Sequence, residues 1–102
     1  MGNKKNAPLI DSDYPRPPED KVRLKMLQEL NQALSSGDAQ SAVLHTGRLA
    51  RDYSIGAIAN GTGLNRAQLY RTLGEDGNPA FSSVVKIYDV MGLRMMVLPK
   101  YG

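Results

Sequence analysis

From Glu19 onward, apolar residues recur with a period near 3.6, which predicts a series of short helices. The first helix is expected over residues 19–35, with Asp20 in its first turn and Gly37 directly after its end. One stripe of this helix is apolar and is predicted to be buried; it comprises Val22, Met26, Leu27, Leu30, Ala33 and Leu34. The other faces are expected to carry the charged residues Lys21, Arg23, Lys25 and Glu29.

Four further helices are predicted, because each apolar stretch follows a residue that favours a helix N-terminus. The expected N-cap residues are Asp38, Ser54, Asn65, and Ser82 or Ser83. The second to fourth helices should end near residues 52, 60 and 73, and the fifth should carry Val84–Met91 before Gly92. Residues 93–98 are short and apolar and precede Pro99, which predicts a strand that needs a partner edge.

The segment before the helices has a different composition. Residues 1–18 hold four of the six prolines, and their charges nearly cancel. This segment is either a disordered tail or a stretch that folds onto a partner. Pro18 can occupy the first helical position, where its missing N–H costs nothing. We therefore predict a flexible proline-rich arm over 1–18 and one helical domain over 19–102.

Length and composition exclude several classes of function. A chain of 102 residues can bury one compact core. The absence of cysteine excludes disulfides, thiol nucleophiles and cysteine metal sites. His45 is the single histidine, without carboxylates at ligand spacing, so we expect no metal, no cofactor and no enzymatic activity. No apolar run reaches the roughly 18 residues of a membrane span, so the chain is expected to be cytoplasmic and away from membranes.

Residues 54–73 combine the features of a helix-turn-helix motif. Its two short helices must cross closely, which favours a small residue such as Ala59 at the crossing. The turn between them needs a residue that tolerates a positive φ, which Gly63 supplies. The predicted core of the motif consists of Ile58, Ala59, Gly63, Leu64 and Leu69.

The outward face of the second helix of this motif is chemically suited to DNA. Asn and Gln pair with adenine and Arg with guanine in the major groove, and the first residues of a recognition helix reach the base edges. The candidate DNA-binding residues are Asn65, Arg66, Gln68, Tyr70 and Arg71, with Lys86 of the fifth helix as a phosphate contact.

Charge is concentrated around the same motif. Residues 39–73 carry four arginines against one aspartate, a net charge of +3 that equals that of the whole chain. A phosphate-binding surface needs such a concentration of positive charge. Two of these arginines, Arg48 and Arg51, are either a solvated helix face or phosphate contacts.

Several stretches together carry a resemblance to a known family: Ile58, Ala59, Thr62–Arg66, Leu69–Leu73, Gly77–Pro79, Phe81, Val84–Lys86 and Met91–Arg94. They resemble the addiction-module antidote proteins, HigA-like antitoxins of the Xre/Cro-type helix-turn-helix superfamily. The resemblance covers about residues 19–98 and is most specific over 62–79. Gly61 departs from the family, in which a polar helix former is usual; glycine should fray the helix end there by about 1 kcal/mol relative to alanine.

The resemblance implies a DNA-binding antitoxin that represses its own operon and neutralises a toxin of the RelE/ParE-like fold. The predicted elements give an all-α, five-helix fold, which the resemblance makes lambda-repressor-like. The resemblance also implies a homodimer, in which we expect residues 93–98 to pair as strands across a two-fold axis. Two alternatives stay open. One is a plain phage-type repressor without a toxin, and the other is a helix-turn-helix protein-interaction module that does not bind DNA.

Overall fold

The computed structural model describes residues 20–101, which form five α-helices. The helices are α1 (Lys21–Ser36), α2 (Ala39–Tyr53), α3 (Ile55–Thr62), α4 (Arg66–Thr72) and α5 (Phe81–Val90). Two residues connect α1 to α2, and these helices pack along each other as a hairpin. α3 packs against α2, α4 and most extensively α5. The predicted all-α class with five helices is confirmed, whereas the predicted arm over 1–18 lies outside the described residues.

Side-chain caps begin the first four helices. Asp20 caps α1, since its Oδ1 accepts from the Val22 N–H over 2.8 Å. This helix therefore starts at Lys21, and Asp20 precedes its first turn instead of lying in it. The caps predicted for the next three helices are confirmed: Asp38, Ser54 and Asn65 each accept a backbone N–H of the following turn.

The prediction for the start of α5 is wrong. This helix begins at Phe81 after Ala80, which has no side chain that can cap it. Ser82 and Ser83 lie inside its first turn. The helix ends as expected near Gly92, which has a φ of +76°, and the Leu93 N–H donates to the Tyr88 carbonyl over 2.8 Å.

The buried face of α1 differs from the predicted apolar stripe because it includes a charged residue, Arg23. Arg23 is completely buried, whereas Val22 and Leu34 are 56% and 46% exposed. The Arg23 guanidinium lies over the Tyr53 ring, 5.2 Å from its centroid, and its Nε is 3.5 Å from Asp52 Oδ2. A cation–π contact and an ion pair offset the cost of removing this charge from water, so Arg23 is part of the core.

Two glycines allow close approaches between helices. A Cβ at Gly47 would collide with the carbonyl oxygen of Leu73, so the middle of α2 lies directly against the end of α4. A Cβ at Gly61 would lie 2.6 Å from Val90 Cγ2, so the end of α3 lies directly against α5. At Gly61, where the resemblance leads us to expect a polar helix former, a side chain would therefore have to displace that of Val90.

The strand predicted over residues 93–98 is not formed in the described chain. Residues 93–99 have no regular structure, and Met96 and Val97 are 68% and 97% exposed. A strand is stable only when its backbone pairs with a neighbouring edge, and the five helices of the described part offer none. The single chain therefore does not form the strand, and its pairing with a twin segment stays a prediction.

Replacing Gly47 with alanine tests the contact between α2 and α4. Because the neighbour is a backbone carbonyl, the helices must separate, and we expect Gly47→Ala to lower the free energy of unfolding by about 2 kcal/mol. Urea denaturation followed by circular dichroism measures this change. The exposed Gln40→Ala in the same helix should change stability by less than about 0.5 kcal/mol. A Gly47→Ala protein that is more stable than wild type, as helix propensity alone would give, contradicts the close approach.

A buried hydroxyl pair predicts a pH dependence of stability. The Tyr88 hydroxyl lies 2.7 Å from Thr46 Oγ1, and burial raises the pKa of Tyr88, partly offset by this hydrogen bond. The unfolded phenol loses its proton near pH 10 and the folded one only at higher pH. The stabilisation of the folded protein by Tyr88 is therefore complete below about pH 10 and is lost as the pH rises above it. Tyr88→Phe should cost about 1 kcal/mol at pH 7.

The difference in stability between wild type and Tyr88→Phe should therefore shrink as the pH rises above about 10. Urea denaturation across this pH range measures it. Tyr70→Phe, which changes an exposed tyrosine, is the control and should leave the pH dependence unaltered. If the free energies of unfolding of wild type and Tyr88→Phe differ by the same amount at every pH, Tyr88 does not cause the loss of stability at alkaline pH.

Candidate nucleic-acid interface

A tight turn joins α3 to α4. Gly63 ends α3 in the left-handed region with a φ of +80°, and its N–H donates to the Ala59 carbonyl over 2.9 Å. The Thr62 hydroxyl donates to the Ile58 carbonyl over 2.7 Å and accepts from the Leu64 N–H over 3.2 Å. Side-chain and backbone hydrogen bonds together therefore hold the end of α3 and the entry to α4.

Apolar side chains anchor one side of α4 in the core. Leu69 and Leu73 are 0% and 1% exposed, and they belong to the same buried cluster as Ile58 of α3. Leu64, just before α4, and Ala59 are half-buried and pack against this cluster. The structure thus places the four apolar residues of the predicted motif core in or against the core, and the fifth, glycine, in the turn.

The other side of α4 faces outward. Arg66, Ala67, Tyr70 and Arg71 are exposed, and their spacing puts them on one face of the helix. This surface carries two guanidinium groups and one phenol, and α4 contains no acidic residue. Arginine and tyrosine side chains suit phosphate oxygens and base edges, so this face has the chemistry of a DNA-binding surface.

Asn65 has a structural task that limits its contact with DNA. Its Oδ1 accepts from the Gln68 N–H over 2.7 Å and so caps α4. Pairing with adenine in two hydrogen bonds needs both Oδ1 and Nδ2, and the cap already uses one of the two lone pairs of Oδ1. In this conformation, the amide nitrogen of Asn65 is the group that remains for donation to DNA.

The remaining two candidate residues lie apart from the exposed face. Gln68 is half-buried on the flank of α4, and its backbone carbonyl accepts from the Thr72 hydroxyl over 2.9 Å. Lys86 is exposed on α5, a helix that packs mainly against α3. The structure therefore brings Arg66, Tyr70 and Arg71 together, with Asn65 at the helix start, and places Gln68 beside them and Lys86 on another helix.

The two arginines of α2 differ in their surroundings. Arg48 NH1 lies 3.5 Å from Glu29 Oε1 and 3.4 Å from His45 Nδ1, so this cation is held against α1. Arg51 is exposed in the last turn of α2. Arg51 is therefore better placed than Arg48 to contact a ligand.

Sequence analysis missed Gly47 as a residue that positions the candidate interface. A single glycine inside a helical pattern lowers helix stability unless it allows another part of the chain to approach closely. Gly47 stands in such a position in the predicted second helix. What the sequence does not show is the neighbour, the Leu73 carbonyl at the end of α4. The orientation of the exposed face thus depends on a glycine in a different helix.

Two features of the described residues bear on other functions. Within 20–101, no group of three or more His, Asp or Glu side chains could hold a metal ion. None of the five helices there has the length and apolar character that crossing a membrane requires.

Comparison with known proteins identifies the family of the chain. Residues 21–99 match the family described as "Probable addiction module antidote protein". The chain is also 31% identical over 68 residues to an uncharacterized protein of Haemophilus influenzae, an alignment that covers 67% of this chain and 70% of the relative. No solved structure matches the chain. The match over 21–99 shows that the chain belongs to the addiction module antidote family.

Proposed function

We propose that this protein is the antitoxin of a type II toxin–antitoxin pair, that it binds operator DNA through α4, and that it represses its own operon. The observation that carries the DNA-binding part is the exposed face of α4. There, Arg66, Tyr70 and Arg71 share one side of a short helix whose other side is anchored by Leu69 and Leu73. Membership of the antidote family supports a toxin as the protein partner.

Each candidate residue has a proposed role on DNA. Arg66 reaches base edges, because it is the first residue of α4, and Gln68 contacts a base from the flank. Tyr70 and Arg71, one turn further on, contact phosphate or a base. Asn65 caps the helix and donates through its amide, while Lys86 neutralises a phosphate from α5.

The proposed toxin partner has the RelE/ParE-like fold, as in HigA-like antitoxin pairs. Direct binding of the antitoxin would neutralise it. Co-expression with the product of the adjacent gene separates this proposal from a plain repressor: a stable complex that relieves growth arrest supports the antitoxin, and growth arrest that persists contradicts it.

We also propose a homodimer in which residues 93–98 pair with their twin. Leu93 is tied back to α5, so the direction in which the segment leaves the domain is set. Its residues Met95–Leu98 are exposed and apolar, as is suitable for an interface strand. A two-fold dimer would place two recognition helices in major grooves about 34 Å apart on a palindromic operator.

Titration of operator DNA tests the DNA-binding proposal. We expect the wild-type protein to bind a duplex from directly upstream of its own gene about 10³-fold more tightly than a scrambled duplex, as measured by fluorescence anisotropy. Arg71→Ala should weaken binding to every duplex and lower the salt slope by about one ion, because one phosphate contact is lost. Lys21→Ala removes the same charge from α1 and should leave the slope unchanged. Equal, weak binding of both duplexes would favour a protein-interaction module.

Changing Val97 tests the proposed dimer. Val97 is 97% exposed in the described chain, so Val97→Glu should leave the fold intact while it places a charge in an apolar interface. We expect the dimer dissociation constant from sedimentation equilibrium to rise about tenfold or more. Leu34→Glu, at an exposed apolar position of α1, is the matched control. A protein that is a monomer before any change, or a dimer unaffected by Val97→Glu, contradicts this interface.

A further inference from the structure

The start of α4 offers four positions, 65–68, that a bound base could meet. Asn65 uses its Oδ1 to cap the helix, and Gln68 is half-buried on the flank. The exposed positions between them are Arg66 and Ala67. Because the first residues of a recognition helix lie nearest to the base edges, these two positions have the most direct access to them.

Ala67 is an aliphatic residue on the exposed face of α4, whose other exposed residues have polar groups. Its methyl group lies on the same exposed side of α4 as Arg66, Tyr70 and Arg71. A side chain this short forms no hydrogen bond and lets the helix backbone come close to the bases. A longer residue at this position would hold the helix further out.

The major groove contains one apolar group that such a methyl group can recognise. The 5-methyl group of thymine projects into the groove, and alanine makes an apolar contact with it. A methyl–methyl contact removes apolar surface from water on both partners, so it favours thymine over cytosine and over uracil at that position.

We propose that Ala67 determines specificity by contacting the 5-methyl group of one thymine in each half-site. This inference rests on the DNA-binding function proposed above. It adds an apolar contact to the hydrogen-bonding arginines beside it, and it assigns base recognition to a residue without any polar group.

Removing the methyl group from the DNA tests the contact without disturbing the protein. The probe is the duplex from directly upstream of the gene, in which each thymidine in turn is replaced by deoxyuridine, which lacks only that methyl group. For wild-type protein, anisotropy titration should show about fourfold weaker binding at one position per half-site, the effect of losing one buried methyl group.

Removing the methyl group from the protein completes a double-mutant cycle. In Ala67→Gly, the deoxyuridine that weakens wild-type binding should have no further effect, because the contact is already absent. Glycine also destabilises a helix, so the matched control is Ala39→Gly, at an exposed position in the first turn of α2. This control should retain the fourfold deoxyuridine effect, and circular dichroism should show both variants folded.

The outcomes separate this inference from the function on which it rests. Specific binding of wild type with no deoxyuridine effect at any position overturns the contact and leaves operator binding intact. A deoxyuridine effect that persists in Ala67→Gly also overturns it, since another group then reads the methyl. Absence of specific binding by wild type overturns the DNA-binding function itself, and this inference with it. A fourfold effect that Ala67→Gly abolishes and Ala39→Gly retains supports it.

Discussion

The orientation of α4 depends on how closely its C-terminal end can approach α2. At Gly47, the α2 backbone meets the Leu73 carbonyl with no room for a Cβ. Leu69 and Leu73 can both be fully buried with this approach. A seven-residue helix has too few backbone hydrogen bonds to be stable alone, so its position comes from these tertiary contacts. The exposed face of α4 is therefore a consequence of packing on its hidden side.

A buried cation, Arg23 of α1, packs against the junction of α2 and α3. Arg23 stacks on Tyr53 and lies beside Asp52, at the corner where α2 ends and α3 begins. The Tyr53 hydroxyl in turn donates to the Val90 carbonyl over 2.9 Å, which ties that corner to the end of α5. Because Ser54 at the same corner caps α3, the start of the helix-turn-helix motif is linked to both α1 and α5. A buried ion pair depends strongly on geometry, which suits a contact that fixes one arrangement of helices.

The sequence predicts what is local and misses what depends on a distant partner. Asp38, Ser54 and Asn65 could be identified as caps because a capping hydrogen bond spans only two or three residues. The burial of Arg23 could not, because its aromatic and acidic neighbours come from another helix. From the sequence, Gly61 was expected to destabilise the end of its helix. The structure shows that the glycine allows a close approach to Val90 of α5. The strand expected at 93–98 is not formed in the described single chain for a related reason, since its edge would have to come from a second chain.

The candidate site shows the same division. Periodicity correctly separates the buried Leu69 from the outward Arg66, Tyr70 and Arg71. It does not show that Gln68 is half-buried. The cap at Asn65 was expected, but residue type does not show that the capping bond limits the contact of this side chain with DNA. Both residue types have the hydrogen-bonding chemistry for a base contact, and the structure shows that availability matters as much. Residue type indicates what a side chain can bind, while capping and burial decide whether it is presented.

The size of the exposed face explains why DNA binding by this fold would need two copies. One α4 presents four exposed side chains, of which two are cationic. Non-specific affinity grows with the number of phosphates neutralised, and two or three contacts give weak, salt-sensitive binding. A two-fold pair doubles both the phosphate contacts and the bases read, while the second helix binds as part of the same molecule. The exposed apolar residues at 95–98 and the small face of α4 are therefore consistent with the proposed homodimer, in which two copies would bind one operator.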